Sequence, residues 1–218
     1  MEMKFNTKQK FSLYNYKNEY VEHPFWTKED FDGDEDFIAQ MAYKFNGDLK
    51  NGYYIEIGAG NYKNQSNTYL LEKKYGWKGV SLDIGLELVE DFNNNRSNIC
   101  LNENALEFNW AKYLEENNFP KIIDFLSIDI DAVTHDYANL LAFLNLPVIE
   151  YKFQIILIEH NADKHHKFEK LKNLQRDILT ALGYSLIIRG RCDDLWSLQD
   201  SSSVNGFDKL DATFSKNI

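Results

Sequence analysis

The sequence predicts an α/β protein with a doubly wound, mostly parallel sheet of seven strands. Short apolar runs alternate along the chain with segments that have helical apolar spacing, and this alternation is typical of parallel sheets. Residues 122–128 form a nearly continuous apolar run, as in strands buried on both faces. A glycine turn, Gly58-Ala59-Gly60, directly follows the first apolar run, and glycines there let the backbone turn tightly and approach a ligand.

The individual elements follow from the apolar runs and from the residues that end them. Gly76 and Gly183 end two of the predicted helices, as glycine commonly does. The predicted strands are residues 53–57, 79–82, 99–101, 122–128, 153–158, 184–188 and 195–198. The predicted helices are residues 37–45, 66–75, 86–95, 137–144 and 166–182, with a further helix inside 105–118.

These elements divide the chain into three parts. Residues 1–50 are expected to form an N-terminal arm followed by a helix, residues 51–200 the α/β domain, and residues 201–218 a C-terminal tail. The arm is polar and aromatic without a clear period. It is expected to pack across the domain or onto a second subunit, in which case the protein is a homo-oligomer.

Composition and charge exclude several classes of partner. The 218 residues carry a formal net charge of -10, which argues against nucleic acid because phosphate binding relies on Lys and Arg. No apolar run reaches the roughly 18 residues of a membrane span, so we expect no membrane partner. The two cysteines form no disulfide framework, which is typical of a reducing compartment. We therefore expect a soluble, cytoplasmic protein.

The residues around the glycine turn indicate the kind of ligand. The pattern is G-x-G without a third glycine at the dinucleotide spacing, so a pyrophosphate cradle is poorly supported. Glu56 precedes the glycines, and its carboxylate would repel a diphosphate but suit an ammonium group. Asp83 ends the next strand, near the usual spacing, roughly 20 residues, for an acid that binds ribose hydroxyls. S-adenosylmethionine, an adenosine with a cationic, phosphate-free tail, fits both acids.

Two further segments are assigned to the same cofactor site. Asn67 and Thr68 begin the helix after the turn, and both residue types are good helix N-caps. Asn104 and Ala105 follow the third strand. An amide side chain and a backbone N–H at that position can meet the adenine ring, with Glu103 as the alternative residue.

A second polar cluster follows the fourth and fifth strands. Asp129 and Asp131 alternate along the chain and so share a face, and Glu159 and His160 follow the next strand. His135 lies just beyond the Asp pair. Oxygen ligands of this kind suit a hard divalent cation such as Mg²⁺ or Mn²⁺, and a His or Asp can equally act as a general base. Alternatively, Asp129 caps a helix and His160 is a satisfied polar residue.

The order of these motifs resembles the FkbM family of S-adenosylmethionine-dependent methyltransferases. The resemblance runs from about Gly52 to Tyr184 and rests on E-I-G-A-G, S-N-T-Y-L-L-E, G-W-K-G, D-F-L-S-I-D-I-D, I-E-H-N and L-G-Y. It implies a Rossmann-like class I methyltransferase fold and O-methylation of sugars, glycans or other hydroxylated small molecules.

The resemblance also implies roles for individual residues. Glu56, Gly58 and Gly60 would hold the methionine part of the cofactor, and Asp83 would hold the ribose. Adenine would lie near Asn104 and Ala105, and Asp129 would lie beside the sulfonium and the acceptor.

We therefore predict methyl transfer to a hydroxyl. The base is expected among Asp129, His160 and His135, because a hydroxyl is too weak an acid to ionise unaided. The candidate metal ligands are Asp129, Asp131 and Glu159. Two other classes stay open: a nicotinamide-dependent oxidoreductase, against which the missing third glycine and Glu56 argue, and a non-catalytic nucleotide-binding module of the same fold.

Overall fold

The computed structural model of the chain describes residues 11–14, 20–21, 34–64, 66–130, 137–162, 166–190 and 192–198. Its strands are β1 (Phe11–Tyr14), β2 (Tyr20–Val21), β3 (Tyr53–Ile57), β4 (Lys78–Asp83), β5 (Ile99–Asn102), β6 (Ile122–Ile128), β7 (Lys152–Glu159), β8 (Tyr184–Gly190) and β9 (Asp193–Leu198). Its helices are α1 (Asp34–Phe45), α2 (Tyr69–Tyr75), α3 (Leu86–Asn95), α4 (Trp110–Glu116), α5 (Ala138–Asn145) and α6 (Glu169–Ala181).

The strands form a single sheet in the order β2-β1-β8-β9-β7-β6-β3-β4-β5. Strands β5, β4, β3, β6 and β7 pair in parallel. Strand β9 runs antiparallel between β7 and β8. The predicted doubly wound, mostly parallel sheet of seven strands is thus confirmed, with β9 reversed.

The N-terminal segment adds two strands that the sequence analysis did not predict. Strand β1 pairs antiparallel with the edge of β8, and β2 pairs antiparallel with β1. These strands depend on pairing with β8, which follows them by more than 160 residues. Local periodicity along the chain therefore does not predict these two strands.

Helix ends mostly follow the predicted signals. Gly76 has a φ of 72° and donates its N–H to the Glu72 carbonyl over 3.1 Å, while the Trp77 N–H donates to the Leu71 carbonyl. This pairing of a left-handed glycine with two returning hydrogen bonds ends α2. The predicted helix 166–182 instead begins as a 3₁₀ turn over His166–Phe168 and becomes α6 at Glu169.

Apolar side chains alternate between the two faces of the sheet. On β3 and β6, Ile55 and Leu126 pack toward α4, α5 and α6, whereas Tyr54 and Phe125 pack toward α1 and α2. All four side chains are fully buried. Helices therefore cover both faces of the central strands and leave the strand ends free to form a site.

Among the described helices, none is long and apolar enough to cross a membrane.

The direction of winding changes between two central strands. From β3 the chain proceeds to β4 and β5 on one side, and then crosses to β6 and β7 on the other. In open α/β sheets, ligands bind outside the carboxyl ends of the strands at such a switch point. A ligand site is therefore expected at the carboxyl ends of β3 and β6, where Gly58 and Asp129 lie.

Candidate functional site

The turn after β3 lies directly against the neighbouring strands. Gly58 has a φ of 83° and donates its N–H to the Leu82 carbonyl over 2.9 Å. A Cβ atom at Gly58 would lie 2.0 Å from the carbonyl oxygen of Asp129. Gly60 also has a positive φ, of 56°. Glycine is needed at Gly58 both for its conformation and for the close approach of β6.

The carboxylate of Asp83 is bound to this turn. Its Oδ2 accepts the N–H of Gly60 over 2.9 Å, and its Oδ1 accepts the N–H of Gly85 over 2.8 Å. The side chain is only partly buried, and each carboxylate oxygen can accept more than one hydrogen bond. Asp83 can therefore accept ligand hydroxyls beside the glycine turn.

Glu56 does not face this edge in the way the sequence analysis predicted. It is 1% exposed, and its carboxylate accepts hydrogen bonds from the hydroxyls of Ser66 (2.9 Å), Thr68 (2.8 Å) and Ser81 (2.8 Å). Burial raises the pKa of Glu56 above its usual value, although Arg96 and the three hydroxyls oppose the rise. We correct its role from direct ammonium ligand to internal anchor of the turn.

Three other residues assigned to the cofactor also have side chains that face the interior. Thr68 is fully buried, and it makes no side-chain cap on α2 because its hydroxyl donates to Glu56. Asn67 is 7% exposed and donates to the Ser127 hydroxyl over 3.0 Å. Ala59 packs its methyl group against Val89 and Phe92. These side chains support the turn from inside.

The segment after β5 lies next to Asp83 because β5 pairs with β4. The Asn102 amide donates to the Asp83 carbonyl over 3.2 Å and ties the two strand ends together. Asn104 is exposed, and its Oδ1 accepts the Leu106 N–H over 3.1 Å. Ala105 is 6% exposed. The adenine contact assigned to Asn104 and Ala105 stays a prediction, at a position consistent with ribose on Asp83.

Three carboxylates converge at the ends of β6, β7 and β9. Oxygen atoms of Asp129, Glu159 and Asp193 all lie within 4.8 Å of one another. Glu159 is buried, and the Asn139 amide approaches its Oε2 at 3.4 Å. This group of three acids, the acidic triad, contains two of the three predicted metal ligands, Asp129 and Glu159, whose role stays a prediction.

Asp193 was not among the predicted ligands, because in a parallel sheet only the carboxyl ends of strands are expected to form the site. Strand β9 is antiparallel, so its first residue, Asp193, pairs with the last residue of β7, Glu159. An acidic pair at the start of the last strand was the available signal. Asp131 and His135 lie outside the described residues.

His160, one of the predicted bases, has its side chain inside the protein. It is 1% exposed, and its Nδ1 accepts the Ala162 N–H over 3.1 Å. Its Nε2 lies 3.6 Å from Asp194 Oδ1. Arg176 donates to both oxygens of Asp194, over 2.7 Å and 2.9 Å. Both ring nitrogens face internal groups, and the role of His160 as a base stays a prediction.

The groups around Asp194 lower its pKa. Burial alone would raise the pKa, but the nearby His160 ring and the hydrogen bonds from Arg176 outweigh burial and hold the pKa below its usual value. Asp194 is therefore an ionised partner for Arg176 at neutral pH.

Comparison with known proteins identifies the fold. No family model matches the chain, and no curated protein matches its sequence. A SAM-dependent methyltransferase from Archaeoglobus fulgidus aligns with a TM-score of 0.46 and 19% identity over 72% of each chain. Fibrillarin from Aeropyrum pernix, with natively bound S-adenosyl-L-methionine, aligns with a TM-score of 0.45 and 10% identity over 72% of each chain.

An O-methyltransferase from Bacillus cereus, in complex with SAH, aligns with a TM-score of 0.52 and 14% identity. The alignment covers 76% of this chain and 80% of that chain. The chain has the Rossmann-like class I methyltransferase fold.

Within this methyltransferase fold, the predicted site residues separate into two groups. One group lies at the carboxyl edge of the sheet beside the switch point: Gly58, Gly60, Asp83, Asp129 and Glu159. The other group has its side chains inside the protein: Glu56, Ala59, Asn67, Thr68, Ala105 and His160. The first group lies where side chains can reach a ligand, and the side chains of the second group support the edge from inside.

Proposed function

We propose that the protein is an S-adenosylmethionine-dependent methyltransferase, related to the FkbM family, that methylates a hydroxyl of a sugar, glycan or other small molecule. One observation carries the proposal: a partly exposed carboxylate, Asp83, is hydrogen-bonded to the glycine turn at the switch point of a methyltransferase fold. In dinucleotide sites of related topology an acid at this strand end binds ribose hydroxyls.

The neighbouring strand end supports a place for the acceptor. The backbone of Asp129 lies against Gly58, and its carboxylate belongs to the acidic triad. With the nucleoside on β4 and the turn on β3, the methyl-bearing sulfur would lie toward β6. The acceptor hydroxyl would then be next to Asp129.

The chemistry requires alignment and removal of one proton. The acceptor oxygen attacks the methyl carbon, the carbon–sulfur bond breaks, and the sulfonium becomes a neutral thioether in S-adenosylhomocysteine. The hydroxyl proton passes to a base, for which Asp129 is the best-placed residue among those described. Alignment of oxygen, carbon and sulfur supplies much of the rate, and the base supplies typically 10²–10⁴-fold.

A divalent cation would make the same deprotonation easier. Asp129, Glu159 and Asp193 offer hard oxygen ligands, the type that Mg²⁺ and Mn²⁺ prefer. A cation held there would lower the pKa of a bound hydroxyl. The fit rests on the ligand type and on the spacing of the triad.

The test is a transfer assay with methyl-labelled S-adenosylmethionine and a panel of sugars and glycans, with and without EDTA. We expect label in at least one hydroxylated acceptor, and a loss of transfer in Asp129→Asn. Loss of transfer with EDTA and recovery with Mg²⁺ or Mn²⁺ would support the cation. Donor binding without transfer to any acceptor would instead indicate a non-catalytic module, and absence of donor binding would refute the proposal.

A further inference from the structure

Arg96 follows α3 and has a completely buried side chain. Its Nε donates to Glu72 over 2.7 Å, and its two terminal nitrogens donate to Tyr62, Ser66, Tyr54 and Thr68 over distances of 3.0–3.2 Å. A guanidinium carries five N–H donors, so each donor of Arg96 has an acceptor. The guanidinium carbon also lies 4.5 Å from the centre of the Phe92 ring.

Three of these acceptors belong to one segment, which connects the glycine turn to α2. We call it the turn segment: residues 61–68, of which 61–64 and 66–68 are described. Arg96 holds the Tyr62 carbonyl at its beginning and the Ser66 and Thr68 hydroxyls at its end. A single side chain therefore sets the path of this segment.

Arg96 also orients the groups that surround Glu56. The Ser66 and Thr68 hydroxyls each accept an N–H of Arg96 and donate to the Glu56 carboxylate. A hydroxyl has a single proton, so the hydrogen bond from Arg96 leaves that proton for Glu56. The cation is thus coupled to the buried carboxylate beneath the turn through two hydroxyls.

The turn segment spans the two parts of the proposed cofactor site. It begins beside Gly60, which is bound to Asp83, and its last part contains Asn67, which donates to Ser127 of β6. A cofactor with its ribose on Asp83 and its sulfur toward Asp129 would lay its methionine part along this segment.

Resting on the proposed function, we propose that Arg96 is a positioning residue that holds the turn segment in the conformation that binds the methionine part of S-adenosylmethionine. It touches neither the cofactor nor the acceptor. Its effect is specific for the amino-acid part of the ligand, because the ribose is held by Asp83 on another strand.

The experiment compares two ligands that differ only in that part. Calorimetry measures binding of S-adenosylhomocysteine and of 5′-methylthioadenosine, which keeps the nucleoside and sulfur but lacks the amino-acid group. Arg96→Lys keeps the charge but cannot make the planar, five-donor contact. We expect its affinity for S-adenosylhomocysteine to fall roughly tenfold, with 5′-methylthioadenosine changed less than about twofold.

The matched control is Arg176→Lys on α6, where the arginine forms a partly buried pair with Asp194. It should leave the ratio of the two affinities unchanged, since the hydrogen bonds of Arg176 go to Asp194 on β9. If Arg96→Lys fails to fold, Glu72→Gln keeps the guanidinium and removes its charged partner, and should shift the ratio in the same direction by about threefold.

Two outcomes overturn the inference and one overturns the proposed function. Unchanged affinities for both ligands in Arg96→Lys and Glu72→Gln, or an equal fall for both ligands, would show a role in general stability only. If the folded wild-type protein binds neither ligand, the proposed function itself fails.

Discussion

The backbone N–H of Gly60 donates to Oδ2 of Asp83 over 2.9 Å, joining the turn after β3 to the end of β4. The other oxygen of Asp83 accepts the Gly85 N–H at the start of α3. One carboxylate thus sets the distance between the two strand ends that would enclose a nucleoside. The proposed cofactor site depends on this link.

Asp83→Asn should weaken binding of S-adenosylhomocysteine by about 10- to 100-fold. The amide has one acceptor oxygen instead of two, and it lacks the charge that strengthens hydrogen bonds from ribose hydroxyls. Calorimetry measures the effect. Asp124→Asn is the control, because Asp124 also accepts a backbone N–H, from Tyr53, but at the opposite edge of the sheet. Equal affinities of Asp83→Asn and wild type would show that Asp83 does not hold the ligand.

Gly58→Ala should destabilise the protein far more than Gly183→Ala. Both glycines have a positive φ, 83° and 90°, but a Cβ at Gly183 meets nothing within 4 Å, whereas one at Gly58 would lie 2.0 Å from the Asp129 carbonyl. The conformational cost common to both is about 1–2 kcal/mol. Gly58→Ala adds overpacking of typically 1–3 kcal/mol or more.

The free energy of unfolding in urea separates these two contributions. Donor binding should also be lost in Gly58→Ala and kept in Gly183→Ala. Similar losses of stability in both variants would mean that β6 does not approach the turn closely.

Asp194→Asn should reduce the loss of stability on acidification. The pKa of Asp194 is lower in the folded protein than its usual value, so its ionised form stabilises the fold above the unfolded-state pKa, about 3.9. This stabilisation is lost as the pH falls through the folded-state pKa. The variant should be less stable at neutral pH and should lose less stability between about pH 5 and pH 2.

Chemical denaturation at several pH values provides the measurement. Asp177→Asn, at an exposed position of α6, is the matched control and should keep the wild-type pH profile. An Asp194→Asn profile parallel to that of wild type would contradict the assignment.

Asp129 and His160 should respond differently to substitution. Asp129→Asn should lower kcat by about 100-fold or more while S-adenosylhomocysteine still binds, because the base would act only in the transfer step. His160→Gln should lower the melting temperature but leave kcat and KM near wild type, because His160 is 1% exposed. Kinetics of folded His160→Gln with a large fall in kcat would identify His160 as the base.

The parts of the fold that sequence predicted best are those with local signals. Strands β3 and β6 and helix α3 have the predicted bounds, because apolar runs there end at glycine, Asp or Asn. The β1–β2 pair was missed because it depends on β8, far along the chain. Local sequence patterns do not predict pairing between strands that are far apart along the chain.

For the site, the sequence identified residue types more reliably than their orientation. Asp83 lies beside the glycine turn as predicted. Glu56 is turned inward because the hydroxyls of Ser66, Thr68 and Ser81 donate to its carboxylate. These contacts are visible only in three dimensions. Asp193 reaches the site because β9 is antiparallel, a direction that the apolar pattern of that strand does not encode.

The most direct test of the account is calorimetric titration of the wild-type protein with S-adenosylhomocysteine, under conditions where circular dichroism shows it folded. The account predicts saturable binding at one site, with S-adenosylmethionine competing and NADH not competing. No heat with either sulfur nucleoside, or binding that NADH displaces, would contradict the central claim that the turn after β3 and Asp83 form a site for this cofactor.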